Sequence, residues 1–202
     1  MPTLSEAAIA DLLAPWLPSV PAGLTSQLSL YLDLLLKWNA RTNLTAIRDP
    51  KEIVRRHFCE SLFAARHLAS DTPALLDLGS GAGFPGLPIA LLYPQIHVTL
   101  AESQNKKATF LREVVRTLEL PHVEVWSGRA EALPPARLFH TVTLRAVDNM
   151  AAALIAAEAR ATHRLVLLTS AASAPALAGF PDQARFAIPE SQDRVLLIAT
   201  RL

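Results

Sequence analysis

The chain has 202 residues, of which 51% are hydrophobic and 18% are charged, so we expect one globular domain with a short extension, and a disordered protein is excluded. Its single cysteine, Cys59, excludes an internal disulfide and a cysteine-rich zinc site, and it favours a reducing compartment, the cytoplasm. A net charge of +1 is too small for a protein that coats nucleic acid, so any contact with RNA would depend on cations gathered on one face.

The N-terminal stretch carries no basic region, and Glu6 and Asp11 interrupt its apolar residues, so we do not expect a signal peptide. The most apolar runs, residues 87–93 and 151–157, are far shorter than the roughly 20 residues that cross a bilayer. We therefore expect a soluble protein that does not enter a membrane.

Residues 1–72 have the pattern of helices and are predicted to form an N-terminal helical extension. Apolar residues recur there at spacings of three and four, at Leu24, Leu28, Tyr31, Leu32, Leu35 and Trp38. A further helix is predicted to begin at Asp49 and Pro50, since an aspartate can cap free amides and proline suits a first turn. The pattern changes at Asp71-Thr72-Pro73.

Residues 73–202 alternate between strand and helix patterns and are predicted to form one compact unit. The predicted strands are 74–78, 96–101, 122–126, 138–144, 165–168, 185–188 and 194–199, the last two forming a hairpin, and the predicted helices are 85–92, 105–118 and 150–161. Such alternation indicates an α/β fold with a doubly wound, mostly parallel sheet. Ligands of these sheets bind at the carboxyl ends of the strands.

The first strand runs into a turn that is rich in glycine. The spacing D-x-G-x-G-x-G is met by Asp77, Gly79, Gly81 and Gly83. Glycines permit positive φ and let a ligand approach bare backbone, and the free amides at the following helix favour an electronegative group. An acid at the end of the strand can face the ammonium group of a bound amino acid, directly or through water. The turn therefore favours S-adenosylmethionine as the cofactor.

A dinucleotide is the alternative ligand for this turn. Its G-x-G-x-x-G motif must follow the strand immediately, but counting from Gly79 puts Phe84 at the third glycine. Counting from Gly81 succeeds formally, yet that frame begins late and contains Pro85. An NAD-dependent oxidoreductase is therefore the less favoured interpretation.

Later strand ends supply further candidates. Glu102 follows the second strand, where an acid can accept hydrogen bonds from ribose hydroxyls, although it could also cap the next helix. Ala130-Glu131 follows the third strand, where such folds hold adenine, although Glu131 could also be a simple cap. Arg145 ends the fourth strand, where it could hold a phosphate, a guanine edge or a cofactor carboxylate, or simply pair with an acid.

Residues 37–39 (Lys-Trp-Asn), 43–50 (Asn-Leu-Thr-Ala-Ile-Arg-Asp-Pro) and 56–62 (Arg-His-Phe-Cys-Glu-Ser-Leu), together with the glycine turn, resemble the bacterial 16S rRNA guanine-N7 methyltransferase family, also called glucose-inhibited division protein B. The resemblance is dense over residues 31–146. It implies a class I Rossmann-like fold, S-adenosylmethionine, and methyl transfer to N7 of a guanosine in small-subunit rRNA. It places cofactor contacts at Gly79, Phe84, Ala130, Glu131 and Arg145, with Glu102 as the ribose acid.

Two positions depart from the family pattern. The chain has Leu168-Thr169-Ser170 where the family commonly has Leu-Lys-Gly, so another cation must replace that lysine if it holds RNA. Glu60 stands where aspartate is common.

The N7 lone pair carries no proton, so we expect catalysis by positioning, with Arg145 as a positioning residue, no general base and no metal. Cys59 lies in the helical extension, away from the strand ends. Residues 41–66 hold six basic residues against three acids, which is more often a solvated helix face than a ligand site. We nevertheless hypothesise that RNA phosphates are held by Arg55, Arg56, His57, Lys106 and Lys107.

The expected partner is 16S rRNA or the small ribosomal subunit, and a monomer is the default. A methyltransferase of this fold acting on another RNA, a protein or a small molecule, and a ribosome-binding module without catalysis, are the alternatives. The sequence does not identify the guanosine, the path of the RNA, or whether free RNA or an assembled subunit is modified.

Overall fold

The computed structural model describes residues 2–68, 72–147, 149–177 and 179–201. Its helices are α1 (Glu6–Leu13), α2 (Leu24–Asn39), α3 (Pro50–Ile53), α4 (Glu60–Arg66), α5 (Gly86–Leu92), α6 (Asn105–Thr117) and α7 (Met150–Arg160). Its strands are β1 (Ala74–Leu78), β2 (His97–Glu102), β3 (Val123–Ser127), β4 (Phe139–Arg145), β5 (Ala161–Ser170), β6 (Asp182–Ala187) and β7 (Arg194–Thr200).

The strands form one sheet in the order β3-β2-β1-β4-β5-β7-β6, and β7 is antiparallel to both of its neighbours. The sheet order reverses at β1, which pairs in parallel with β2 on one side and with β4 on the other. Leu78 is in register with Ala101 and with Leu144, so the loops after these strands emerge side by side. The predicted parallel sheet and its closing hairpin are confirmed.

The core lies on both faces of the sheet, which is why the central strands are apolar along their whole length. In β1, Leu75 contributes to one core cluster and Leu76 to the other. The first cluster unites α5 and α6 with the N-terminal helices, including the buried rings of Tyr31 and Phe58. The N-terminal helices thus share a core with one face of the sheet. The division at residues 72 and 73 stays a prediction, and Asp71 lies outside the described residues.

The helix start at Asp49 is confirmed, because the Asp49 carboxylate accepts a hydrogen bond from the Glu52 amide at 2.9 Å. The helix does not continue uniformly: residues 54–59 form a π-helical turn between α3 and α4. The fifth strand is longer than its apolar run of 165–168, since backbone pairing with β4 and β7 extends it over polar residues. No helix in the described part of the chain is both long and apolar enough to span a membrane.

Candidate active site

Two cavities open where the sheet order reverses, at the carboxyl ends of β1 and its neighbours. The larger has a volume of about 390 Å³ and the smaller about 280 Å³. Gly79, Ser103 and Val147 line both, so the two cavities are adjacent. This is the position at which doubly wound sheets bind their ligands.

The glycine turn is built over the carboxylate of Asp77. That carboxylate is fully buried and accepts hydrogen bonds from the Ser80 hydroxyl at 2.6 Å, the Gly86 amide at 3.1 Å and the Thr143 hydroxyl at 2.8 Å. Burial raises the pKa of Asp77, and these three hydrogen bonds oppose the rise. The carboxylate therefore holds the turn in place, and Asp77 lines neither cavity among the described residues. Its contact with the ammonium group of a cofactor, direct or through water, stays a prediction.

Gly83 adopts φ +95°, and a Cβ atom there would overlap the Leu87 side chain and the Tyr31 hydroxyl. The Tyr31 hydroxyl donates a hydrogen bond to the Ala82 carbonyl, and its ring stacks on Phe84 with centroids 5.5 Å apart. Helix α2 thus braces the turn through Tyr31. The Tyr31 hydroxyl fits against the turn only because residue 83 is glycine.

Glu102 lines the larger cavity and fixes its rim. Its Oε2 atom accepts a hydrogen bond from the Gly81 amide at 2.9 Å, and its Oε1 atom accepts one from the Gln104 amide at 2.7 Å. A carboxylate has lone pairs beyond these two bonds. Glu102 can therefore also accept hydrogen bonds from a ligand in the cavity.

The smaller cavity is a slot with apolar walls. Leu78, Ala130 and Ala153 are buried along it, and exposed Glu131 lies at its mouth. Backbone from residues 128–131 forms the other side, held by a bond of 3.0 Å from the Gly128 amide to the Glu102 carbonyl. The slot suits a flat ring with a polar edge.

A cluster of charged residues around buried Glu60 adjoins the larger cavity through Arg145 and Arg194, which line it. The Glu60 carboxylate contacts Arg145 at 3.0 Å, Arg194 at 2.9 Å and Arg56 at 3.2 Å. Three guanidinium groups thus face one carboxylate, which leaves an excess of positive charge. Burial lowers the pKa of Arg145 to about 10, so it remains protonated at neutral pH. Arg145 thus pairs with an acid, Glu60. It also lines the larger cavity, and its Nη1 atom has no hydrogen-bond partner among the described residues.

His57 and Thr45 also line the larger cavity. The Thr45 hydroxyl lies 2.7 Å from His57 Nε2, and the His57 ring stacks on Phe84 with centroids 4.8 Å apart. Asn39 fixes the loop that carries Thr45, since the Asn39 Oδ1 atom accepts hydrogen bonds from the backbone amides of Leu44 and Thr45. Burial, with Arg145 and Arg194 nearby, lowers the pKa of His57 from 6.5 to about 3, so the imidazole is neutral.

The predicted RNA-contacting residues do not form one group. His57 and Lys107 line the larger cavity, whereas Arg56 is exposed, bound to Glu60, and absent from the cavity lining. Arg55 is instead paired with Glu52 at 3.0 Å on the protein surface and lines neither cavity among the described residues. Lys106 lines a separate groove beside the site.

Arg194 was not among the residues predicted from the sequence, and Glu60 had no predicted role. Arg194 begins β7, far along the chain, and no local motif marks it. The predicted hairpin of the last two strands is the one signal that could have located it, because β7 runs back against β5 and brings Arg194 opposite Ser170. That register places a cation next to the position where the resemblance leads one to expect a lysine.

A sequence model of the family described as GidB, rRNA small subunit methyltransferase G, matches residues 24–173. The ribosomal RNA small subunit methyltransferase G of Xanthomonas euvesicatoria pv. vesicatoria is 47% identical over 133 residues, which cover 66% of this chain and 62% of that protein. The protein of the same name from Xylella fastidiosa strain M23 is 52% identical over 120 residues, covering 59% and 56%. The matched segment thus spans less than two thirds of these curated relatives.

Solved structures agree on the fold. A SAM-dependent methyltransferase from Aquifex aeolicus superposes with a TM-score of 0.61 at 14% identity, covering 79% of this chain and 97% of that one. A protein described as a predicted O-methyltransferase from Agrobacterium tumefaciens gives a TM-score of 0.56 at 24% identity, covering 70% and 79%. The predicted class I Rossmann-like methyltransferase fold is confirmed.

Proposed function

The chain belongs to the rRNA small subunit methyltransferase G family, and from that membership we propose that it transfers a methyl group from S-adenosylmethionine to N7 of a guanosine in 16S ribosomal RNA. One observation carries the proposal beyond the fold. The segments that carry the family resemblance, residues 43–50 and 56–62, supply Leu44, Thr45 and His57 to the wall of the larger cavity, which the glycine turn also lines. The wall that a substrate would meet is therefore built from the segments that distinguish this family.

The residues present fit the cofactor. Gly79 and Val147 line both cavities, and the absence of a side chain at Gly79 leaves room between these two residues, because a Cβ atom there would lie 3.2 Å from Val147 Cγ1. The unpartnered Nη1 of Arg145 can donate to a carboxylate, and Glu102 can accept from ribose hydroxyls. The slot beside Ala130 and Glu131 would hold the adenine ring. When bound, S-adenosylmethionine supplies an electrophilic methyl group.

The titratable side chains of the larger cavity suit a nucleophile that carries no proton. A histidine with a pKa near 3 is a poor base, and the Glu102 carboxylate would be engaged by two backbone amides and the ribose hydroxyls. N7 of guanine needs no base because its lone pair is free. The chain would accelerate the reaction by holding the guanine in line with the methyl group, an effect that can contribute roughly 7–11 kcal/mol.

RNA recognition would use the excess positive charge around Glu60. Arg145, Arg194 and Lys107 line the larger cavity, and Arg56 shares the Glu60 carboxylate with the two other arginines. Guanidinium groups match phosphate oxygens and the guanine edge with two parallel hydrogen bonds. The partner would be 16S rRNA or the small ribosomal subunit, and we expect a cytoplasmic monomer.

The test is transfer of labelled methyl from S-adenosylmethionine to small ribosomal subunits from cells that lack this protein, followed by cleavage at N7-methylguanine with borohydride and aniline. We expect one new cut in 16S rRNA. Labelling without a cut would move the target to another atom or substrate. Cofactor binding without labelling would leave a binding module.

A further inference from the structure

A groove beside the active site has the composition of a nucleic-acid surface. It lies between the end of α2 and the exposed face of α6, has a volume of about 640 Å³, and is lined by Lys37, Trp38, Ala40, Arg41, Thr42, Lys106 and Glu113. We call it the Trp38 groove. Lys37, Arg41 and Lys106 are exposed, and none of the three forms an ion pair within the described part of the chain. Its cations are therefore available to an external anion.

Trp38 is held rigidly in this groove. Its indole nitrogen donates a hydrogen bond of 3.0 Å to the Glu113 carboxylate, and its ring packs against Phe110 with centroids 5.8 Å apart. The ring is partly exposed and lines the groove. A fixed aromatic face among cations is the arrangement on which single-stranded nucleic acid stacks its bases while its phosphates are neutralised.

The Trp38 groove adjoins the larger cavity through two segments. The loop after α2 contributes Arg41 and Thr42 to the groove and Leu44 and Thr45 to the cavity. The start of α6 contributes Lys106 to the groove and Lys107 to the cavity. A strand with one nucleotide in the cavity would reach the groove within the next few nucleotides.

A cleft at the amino ends of β1 to β4 is less suited to nucleic acid. A cavity of about 420 Å³ there contains Arg137, but its guanidinium is bound to the Glu124 carboxylate and to the Thr99 hydroxyl. The Glu124 pairing raises the pKa of Arg137 and lowers that of Glu124, so the two charges neutralise each other. That cleft also lies away from the loops that form the active site.

We propose that the Trp38 groove binds the single-stranded rRNA that flanks the target nucleotide, with Lys37, Arg41 and Lys106 on phosphates and Trp38 against a base. The inference rests on the proposed function for its substrate class. The binding itself can be measured without methyl transfer.

The first test replaces the three cations together, as Lys37→Gln, Arg41→Gln and Lys106→Gln. The matched control removes three exposed arginines that line neither the groove nor the two cavities: Arg112→Gln, Arg116→Gln and Arg185→Gln. Binding of fluorescein-labelled oligouridylate is followed by anisotropy over a range of salt concentrations. We expect the groove variant to bind on the order of tenfold or more weakly, with a salt slope smaller by about two, since each single-strand phosphate contact contributes roughly 0.7. Equal losses in both variants would overturn the proposal.

The second test concerns the aromatic face. Oligouridylate should quench the tryptophan fluorescence of the unmodified chain and of Trp126→Phe, but not that of Trp38→Phe. Quenching that persists in Trp38→Phe would contradict the proposal. Methyl transfer by the unmodified chain is assayed separately. If oligouridylate binds through the groove but no methyl is transferred, the proposed function fails while the groove stands. If the groove variant transfers methyl with a normal KM for rRNA, the groove proposal fails while the proposed function stands.

Discussion

At the residue scale, one carboxylate organises three arginines that come from separate parts of the chain. Glu60 is 1% exposed, and burial raises its pKa while the guanidinium groups of Arg145, Arg194 and Arg56 lower it. In Glu60→Gln the cations would face one another without a buried anion. We expect the free energy of unfolding to fall by about 3 kcal/mol, measured by urea denaturation, because a broken buried pair leaves uncompensated charge.

Glu52→Gln is the matched control for that substitution. Glu52 also pairs with an arginine, Arg55, but 47% of its side chain and 41% of the arginine side chain are exposed. A solvated pair of this kind contributes at most about 1 kcal/mol. A loss of at most about 1 kcal/mol in both variants would show that the Glu60 cluster contributes little to stability.

His57 makes a prediction about pH. Its pKa is about 3 in the folded chain against 6.5 for an unperturbed histidine, so between these values the unfolded chain binds a proton that the folded chain does not. The contribution of His57 to the free energy of unfolding must therefore fall as the pH drops below 6.5. From pH 6.5 to pH 5 the contribution of His57 is roughly 1.5–2 kcal/mol. His57→Asn should lose this contribution, whereas His97→Asn, which replaces an exposed histidine, should retain it. Identical pH slopes in all three chains would refute the prediction.

At the scale of the element, the glycine turn depends on its contact with α2. Gly83 and Gly23 both have positive φ, at +95° and +81°, but a Cβ atom would meet Leu87 and Tyr31 at Gly83 and nothing within 4 Å at Gly23. Gly23→Ala should thus cost only the backbone strain, about 1–2 kcal/mol. Gly83→Ala should cost at least twice as much and abolish cofactor binding, as measured by urea denaturation and calorimetric titration. Equal costs would mean that α2 does not brace the turn.

The elements also show how far sequence reasoning reaches. Strands β1 to β4 were predictable within a few residues because buried parallel strands are short apolar runs bounded by turn residues. The extra length of β5 was not predictable, since pairing with β4 and β7 holds polar residues such as Arg164 in the sheet. The π-helical turn at residues 54–59 has no signal in the apolar spacing either.

The same limit applies to the site. Positions at strand ends, such as Glu102 and Arg145, were predictable because topology brings strand ends together, and both line the larger cavity. The direction of each side chain was not predictable from the sequence. The Asp77 carboxylate accepts hydrogen bonds within the glycine turn, and Arg55 pairs with Glu52. Contacts between distant segments, such as Glu60 with Arg194, have no local sequence pattern at all.

At the scale of the whole molecule, the N-terminal helices are part of the site. They share the core of α5 and α6, they brace the glycine turn through Tyr31, and they supply Thr45 and His57 to the larger cavity. Filling the cavity with a ligand should therefore stabilise the N-terminal helices and the sheet together, as one cooperative unit.

Thermal unfolding with and without cofactor tests this coupling. S-adenosylmethionine at about one hundred times its Kd should add roughly 2.7 kcal/mol to the free energy of unfolding, because it binds only the folded chain. For a chain of this size the melting temperature should rise by roughly 5–10 °C. NAD⁺ at the same concentration should leave the melting temperature unchanged, since the glycine spacing does not suit a dinucleotide.

The rise in melting temperature should appear equally in the far-ultraviolet circular dichroism, which reports all the helices, and in tryptophan fluorescence, to which Trp16 and Trp38 in the N-terminal helical part contribute. A rise in melting temperature seen by only one probe would mean that the N-terminal helices unfold independently of the ligand site. A rise in melting temperature with NAD⁺ would reassign the glycine turn to a dinucleotide.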